Sequence, residues 1–99
     1  MRLEFSLHRE AREELRKSII YYRDNVSAET AAEFLEIVEE AILSLRDHPV
    51  SAQLVLKDVR RKITRKFPFS IFYYVSNSRL RILAVAHQSR RPYYWLGRE

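Results

Sequence analysis

The stretch that most restricts the fold runs from Phe69 to His87. Phe69–Val75 and Leu80–His87 are apolar or aromatic at odd and even positions alike, as in strands covered on both faces. Ser76-Asn77-Ser78 separates them, and Asn accepts positive φ, so a tight turn joins the two runs into a hairpin. Upstream, Val59 and Ile63 fall on one side of an extended segment, and Arg60, Lys62, Thr64 and Lys66 on the other. Arg61 and Arg65 share the side of Val59 and Ile63 if that strand is ideal. Phe67-Pro68 interrupts the ladder, since proline has no N–H to donate. The expected unit is a three-stranded antiparallel meander. Tyr73 and Tyr74 read as packing residues within it.

The N-terminal half supplies an edge and a cover. Arg2–Leu7 alternates Leu3, Phe5 and Leu7 with polar residues, a half-buried strand of unspecified partner. Arg9–Asn25 changes period, with Ala11, Leu15, Ile19 and Tyr22 on one helical face. After a break at Asn25-Val26-Ser27, a second helix spans Ala28–His48. Ser27 is its N-cap and Glu29 suits the first turn. Ala31, Phe34, Leu35, Val38, Ile42 and Leu45 form its apolar stripe, and Pro49 ends it. The short break makes an antiparallel helix hairpin. Val50–Asp58 stays open between a short strand at Leu54-Val55-Leu56 and a packed loop. The expected fold is therefore α+β: an N-terminal strand, a helix hairpin, then the meander packed on the hairpin, all in one domain over residues 1–99.

Charge divides the chain. Residues 1–56 hold 7 Lys and Arg against 11 Asp and Glu, a net of −4, whereas residues 57–99 hold 11 against 2, a net of +9. Such polarity points to an anionic partner for the C-terminal half, nucleic acid or an acidic protein segment, or to a plain solvated basic face. The chain has no Cys, which excludes a disulfide framework and a thiolate nucleophile and fits a reducing compartment. The first residues lack the apolar run of a signal peptide, and no run reaches the ~20 residues of a membrane span, so a cytoplasmic location is expected. A single Gly, at position 97, rules out glycine-rich phosphate loops, and the three His lack metal-ligand spacing. No metal or cofactor is expected.

The chemistry concentrates at the end of the chain. His87 closes the last strand, and Arg90, Arg91, Tyr93, Tyr94 and Trp95 follow at once. Guanidinium groups bind phosphate or carboxylate in a fork, and aromatic rings stack on bases. His87 reads either as a general acid or base or as a strand-end histidine that holds the tail. Tyr93-Tyr94-Trp95 reads either as a binding cluster or as a hydrophobic lid over the C-terminus. For Lys62 and Lys66 a solvated sheet edge competes with a site.

These residues resemble a known family. Arg60-Arg61, Phe67-Pro68-Phe69-Ser70-Ile71-x-Tyr73 and Ile82-Leu83-Ala84-Val85-Ala86-His87-x-x-Arg90-x-Pro92-x-Tyr94-Trp95 are similar to the ParE/RelE superfamily of type II toxin–antitoxin (plasmid-stabilisation) toxins. The ParE-like branch is nearest, and the resemblance spans almost the whole chain. It implies a small toxin neutralised by a cognate antitoxin whose acidic C-terminal segment folds on binding, in a hetero-oligomer. ParE-type members poison DNA gyrase without catalysis. RelE-type members cut mRNA on the ribosome without a metal, which needs a base, cations around the phosphorane and an acid.

By position, Arg61, Arg65 and His87 would be the catalytic set of a ribonuclease. Arg60, Lys62, Arg90, Arg91, Tyr93, Tyr94 and Trp95 would contact the target or nucleic acid. The basic strand lacks a Glu or second His to serve as base, and the Arg90-x-Pro92-x-Tyr94-Trp95 ending is ParE-like. A gyrase poison is thus the leading expectation. A ribosome-dependent endoribonuclease and a non-toxic module retaining only antitoxin contact are the alternatives.

Overall fold

A computed structural model describes residues 2–99. The order is β1 (Glu4–Leu7), α1 (Arg9–Asn25), α2 (Ala28–Asp47), β2 (Gln53–Leu56), β3 (Val59–Ile63), β4 (Phe69–Ser76) and β5 (Arg79–His87). The five strands form one sheet in the order β1-β5-β4-β3-β2. The α+β class and the helix hairpin are as expected, but the meander has four strands, not three. Leu54-Val55-Leu56 is an edge strand with a register shift between Leu54 and Leu56. Four residues half open to solvent carry too little alternation to reveal a strand. The first strand finds its partner in β5, alongside which it runs parallel from Glu4 opposite Arg79 to Leu7 opposite Ile82.

The termini of the helices follow local chemistry. Ser27 caps α2, its hydroxyl accepting from the Thr30 N–H at 3.0 Å. His8 caps α1 through Nδ1, which accepts from the Glu10 N–H at 3.0 Å. His8 lies outside the usual cap residues, which is why the sequence did not mark it. The β4–β5 turn places Asn77 and Ser78 at φ 53° and 60°, the left-handed pair of a two-residue hairpin.

The helices cover one face of the sheet. Phe34, Val38, Ile42 and Leu45 of α2, with Ile37 and Ala41 that the expected stripe omitted, pack on Phe69, Ile71, Tyr73, Leu80, Ile82 and Val85. Tyr22, Phe34, Phe67 and Phe69 form an aromatic knot, with Phe34 4.7 Å from Phe69 and Tyr22 5.1 Å from Phe67 between ring centroids. The Tyr73 hydroxyl donates to the Pro49 carbonyl at 2.7 Å, and burial raises the pKa of that hydroxyl.

The other face is covered by the tail. Trp95 is 2% exposed and packs with Val59, Leu83 and Ala84. A register shift helps. Phe72 pairs with Ala84 but Tyr73 with Ile82, so Leu83 is an extra residue in β5. The bulge turns both Leu83 and Ala84 toward the tail.

Beyond Ile63 the expected strand does not continue. Thr64 turns inward, where its hydroxyl lies 2.9 and 3.1 Å from the Phe67 and Phe69 carbonyls. Lys66 takes φ 68°. Ile63, placed on the same side as Val59, is 57% exposed, whereas Val59 is buried.

Candidate functional site

The strand register decides which basic residues meet. Arg61 is opposite Phe72, which is opposite Ala84, and Ser70 is opposite Ala86. Opposed residues share a face in an antiparallel sheet, so Arg61 and Ser70 are diagonal neighbours on the tail side. Arg61 Nε donates to Ser70 Oγ at 2.9 Å. This bond fixes the guanidinium across the sheet.

The tail folds back over this spot through a series of tight turns. Gln88 N–H donates to the Pro68 carbonyl and Arg90 N–H to that of His87. A cleft of about 240 Å³ results, lined by Val55, Arg61, Ser70, Phe72, Ala86, His87, Gln88, Arg90, Arg91, Pro92, Tyr93 and Tyr94. Three arginines and a histidine line it, and among the described residues no carboxylate does. Such a cleft attracts an anion, and its arginines can donate in pairs.

His87 stands at the mouth. Its Nδ1 accepts from the Ser89 N–H at 3.0 Å, which assigns the ring proton of the neutral form to Nε2. The ring lies edge-on to Phe69, 5.2 Å between centroids. The strand-end, tail-holding geometry is thus present, and the residue also lines the cleft.

The tail is held by an acid far away in sequence. Glu14 of α1 reaches the edge of β5 beyond the end of β1. Its Oε1 accepts from the Val85 N–H at 3.0 Å, in place of a strand partner. Its Oε2 accepts from the Tyr94 hydroxyl at 2.7 Å. Arg98 forks onto both oxygens at 3.1 and 3.0 Å and also donates to the Leu83 carbonyl at 2.9 Å. Arg90 stacks 3.8 Å from the centre of the Tyr94 ring and lies 3.7 Å from Glu14.

The Glu14 and Arg98 side chains are only 13% and 10% exposed, so this pairing acts at low effective dielectric. Burial, then the bond to Glu14, pushes the Tyr94 hydroxyl pKa well up. Burial opposes the charge on Arg98, but Glu14 outweighs it and the guanidinium pKa is raised. The sequence analysis did not single out Glu14. The signal was its place at i+3 from buried Ala11 and i−4 from Ser18, a carboxylate beside the apolar stripe.

The ten residues singled out in the sequence separate in space. Arg61, His87, Arg90, Arg91, Tyr93 and Tyr94 meet in the cleft. Arg65, expected beside Arg61, lies past the end of β3 and pairs with Glu40 of α2 at 2.9 Å. Lys62 lines the same groove as Arg65, on the helix side of the sheet. Arg60 also faces that side, where it donates to the Val50 and Ala52 carbonyls at 3.2 and 2.7 Å and ties β3 to the loop after α2. Trp95 is buried core and offers no contact surface.

Much of the charge polarity is also internal. Arg65, Lys66, Arg79, Arg90 and Arg98 of the basic half each meet a carboxylate of the acidic half.

A second, larger opening of about 690 Å³ lies between α1 and the β5 edge, lined by Arg9, Arg12, Lys17, His87, Arg90 and Arg98 but also by Glu10, Glu13 and Glu14. Among the described residues no cluster of three His, Cys, Asp or Glu could hold a metal ion. Among them also, no helix is long and apolar enough to cross a membrane.

Comparisons with known proteins agree with this architecture. A solved structure described as the chromosomal ParDE TA system from P. aeruginosa superposes with a TM-score of 0.76 at 18% identity, covering 86% of this chain and 95% of that one. At that identity the likeness concerns the fold. No curated protein matches. The family described as the ParE toxin of the type II toxin-antitoxin system, parDE, matches residues 5–92, which include both helices, all of the sheet except Glu4 and the start of the tail. The chain belongs to the ParE toxin family of type II toxin–antitoxin systems.

Proposed function

We propose that this protein arrests growth by binding DNA gyrase, and that a cognate antitoxin with an acidic C-terminal segment neutralises it in the cytoplasm. The observation that carries the binding reading is the make-up of the small cleft. Its lining holds three cations and one histidine and, among the described residues, no carboxylate or second imidazole; Glu14 meets Arg90 from behind that lining. Cleaving RNA through the 2′-OH needs both a base and an acid near neutral pH. Arg65, the third member of the expected catalytic set, is paired with Glu40 outside the cleft. A surface built this way suits holding an anionic or mixed target more than turning one over. The basic rim of the larger opening, with Arg9, Arg12 and Lys17, suits the acidic antitoxin segment.

The test is a supercoiling and DNA-cleavage assay with purified gyrase and purified toxin. Inhibition with trapped double-strand breaks is expected, reversed by antitoxin. Full supercoiling at a large excess of active toxin would overturn the reading. The endoribonuclease reading keeps one support, the meeting of Arg61 and His87 in one cleft. It requires mRNA cuts in the ribosomal A site during growth arrest, lost in His87→Gln.

A further inference from the structure

We infer that Glu14 is a positioning residue for growth arrest: without meeting the target itself, its carboxylate sets the orientation in which Arg90 and Tyr94 are presented. This role rests on the reading above, in which the target meets the tail-covered face.

The open edge of β5 shows how the carboxylate is placed. β1 stops at Leu7, opposite Ile82, so the outward groups of β5 beyond that point have no strand beside them. The Leu83 carbonyl accepts instead from Arg98 at 2.9 Å, and the Val85 N–H donates to Glu14 at 3.0 Å. In a parallel ladder, one residue of a partner strand donates to the carbonyl before the residue it faces and accepts from the N–H after it. The Glu14–Arg98 pair, joined at 3.0 Å, thus fills the place of one residue of a parallel strand, opposite Ala84. It is held there by the sheet, and it holds the tail in turn.

The tail depends on this pair for direction. Its backbone bonds run three residues back, from Arg90 to His87, Tyr94 to Arg91, Leu96 to Tyr93 and Arg98 to Trp95. Such turns shape the tail but do not orient it on the sheet. Trp95 anchors it by apolar burial, which is non-directional. Glu14 adds direction: it accepts from the Tyr94 hydroxyl, and Arg90 is held against both that ring and the same carboxylate. Arg90 lines both openings, so its orientation decides which of them its charge serves. A largely buried ion pair is a poor device for stability alone, since apolar residues of similar shape often match it. What it supplies is a fixed geometry for the charged and aromatic groups around it.

Induction of the full chain without antitoxin tests the role, at matched protein levels and with Trp95 as reporter. Trp95 is the sole tryptophan, sits in the tail and is 2% exposed. Glu14→Gln should lose growth arrest. In the purified variant, Trp95 emission should shift to longer wavelength and quench more readily with acrylamide, while the far-ultraviolet circular dichroism is kept. Ile42→Ala, in the helix-side core, should lower the urea midpoint at least as far, yet keep both the arrest and the Trp95 spectrum. If Ile42→Ala unfolds, Ile42→Val takes its place. Arrest retained in Glu14→Gln, or lost equally in the folded Ile42 variant, would overturn the inference. So would arrest lost with an unmoved Trp95 spectrum, which would mean that Glu14 meets the target itself. Growth arrest reads the working surface whatever the target, so a failed gyrase assay leaves this test intact. Arg61→Gln reports separately on the underlying reading: arrest retained there would move the working surface off this face.

Discussion

Helices cover one face of the sheet, and the C-terminal tail covers the other. On the helix side, Phe34, Val38, Leu45, Ile71 and Tyr73 are fully buried in one apolar cluster. On the tail side the buried cluster is Val59, Leu83, Ala84 and Trp95 alone. Around it, half-buried side chains such as Phe72 and Tyr94 add packing, and the tail's directional attachment is a carboxylate and two arginines around Tyr94. The difference separates two jobs. Apolar burial is non-directional and makes a face stable. Directional hydrogen bonds add less net stability but hold groups at set positions beside water. The candidate site sits on the second kind of cover.

The largest expected effect contrasts the two covers. Phe34→Ala removes the ring at the centre of the helix-side knot and should cost about 3–5 kcal/mol in urea unfolding. Trp95→Ala should cost no more than the lower end, about 3 kcal/mol, because its cavity opens toward solvent and the thin cover can collapse. Limited proteolysis should then cut the Trp95 variant within the tail while the sheet stays protected. Equal costs, with the tail still resistant, would erase the distinction between the two faces.

Next comes Glu14→Gln. The amide keeps an acceptor for the Val85 N–H but leaves the largely buried Arg98 with only the exposed Glu10, 4.0 Å away, as a charge partner. Breaking such a pair is costly, and here we expect about 2 kcal/mol, below the range for fully buried pairs. The same variant should loosen Arg90 and Tyr94 and so widen the cleft. Unchanged stability would mean that Trp95 alone holds the tail.

Tyr94→Phe should have a smaller effect, about 1 kcal/mol near neutral pH for one lost hydrogen bond. Its distinctive sign lies at high pH. Burial and Glu14 raise the hydroxyl pKa in the folded state, so the proton is held more tightly there than in the unfolded chain. The unfolded tyrosine loses its proton near pH ~10, and above that the folded state binds more protons. Stability contributed below pH ~10 is therefore lost as pH rises beyond it. The wild-type urea midpoint should fall more steeply above pH ~10 than that of Tyr94→Phe. Tyr22 and Tyr73 are raised as well, so part of the slope remains in the variant. Parallel slopes would show that Tyr94 titrates freely.

How much of this could be read in the chain depends on the range of the interactions involved. The helix side was legible because it is periodic: Phe34, Val38, Ile42 and Leu45 recur at helical spacing, and Asn77 announces its turn. The partner of β1 was not, since parallel pairing across some 70 residues leaves no local mark. Nor was the end of β3, where Thr64 satisfies its hydroxyl indoors and turns Arg65 away. In the site, the local ending His87 to Tyr94 was visible. Its support was not, because Glu14 acts from 80 residues before Tyr94, and the bulge at Leu83 that seats Trp95 shows only in the pairing. Charge misled in a particular way: the basic half looked free, yet the register and the helix hairpin bring carboxylates to five of its cations.

Arg65→Gln is the smallest expected effect and the most discriminating. Arg65 and Arg61 are indistinguishable by local pattern, two arginines at strand spacing on one ideal face. In the fold, Arg65 makes a surface pair with Glu40 on the helix side, with its side chain 66% exposed. Exposed pairs of this kind contribute little, so stability should change by no more than about 0.5 kcal/mol. Growth arrest on induction without antitoxin should also persist, whereas Arg61→Gln should abolish or sharply weaken it. The physical reason is placement: of the two, Arg61 combines a fixed guanidinium with the cleft, and Arg65 is paired with Glu40 outside it. If Arg65→Gln disarmed the protein and Arg61→Gln did not, the working surface would lie on the helix side. The tail-covered face would then be only the back of the molecule.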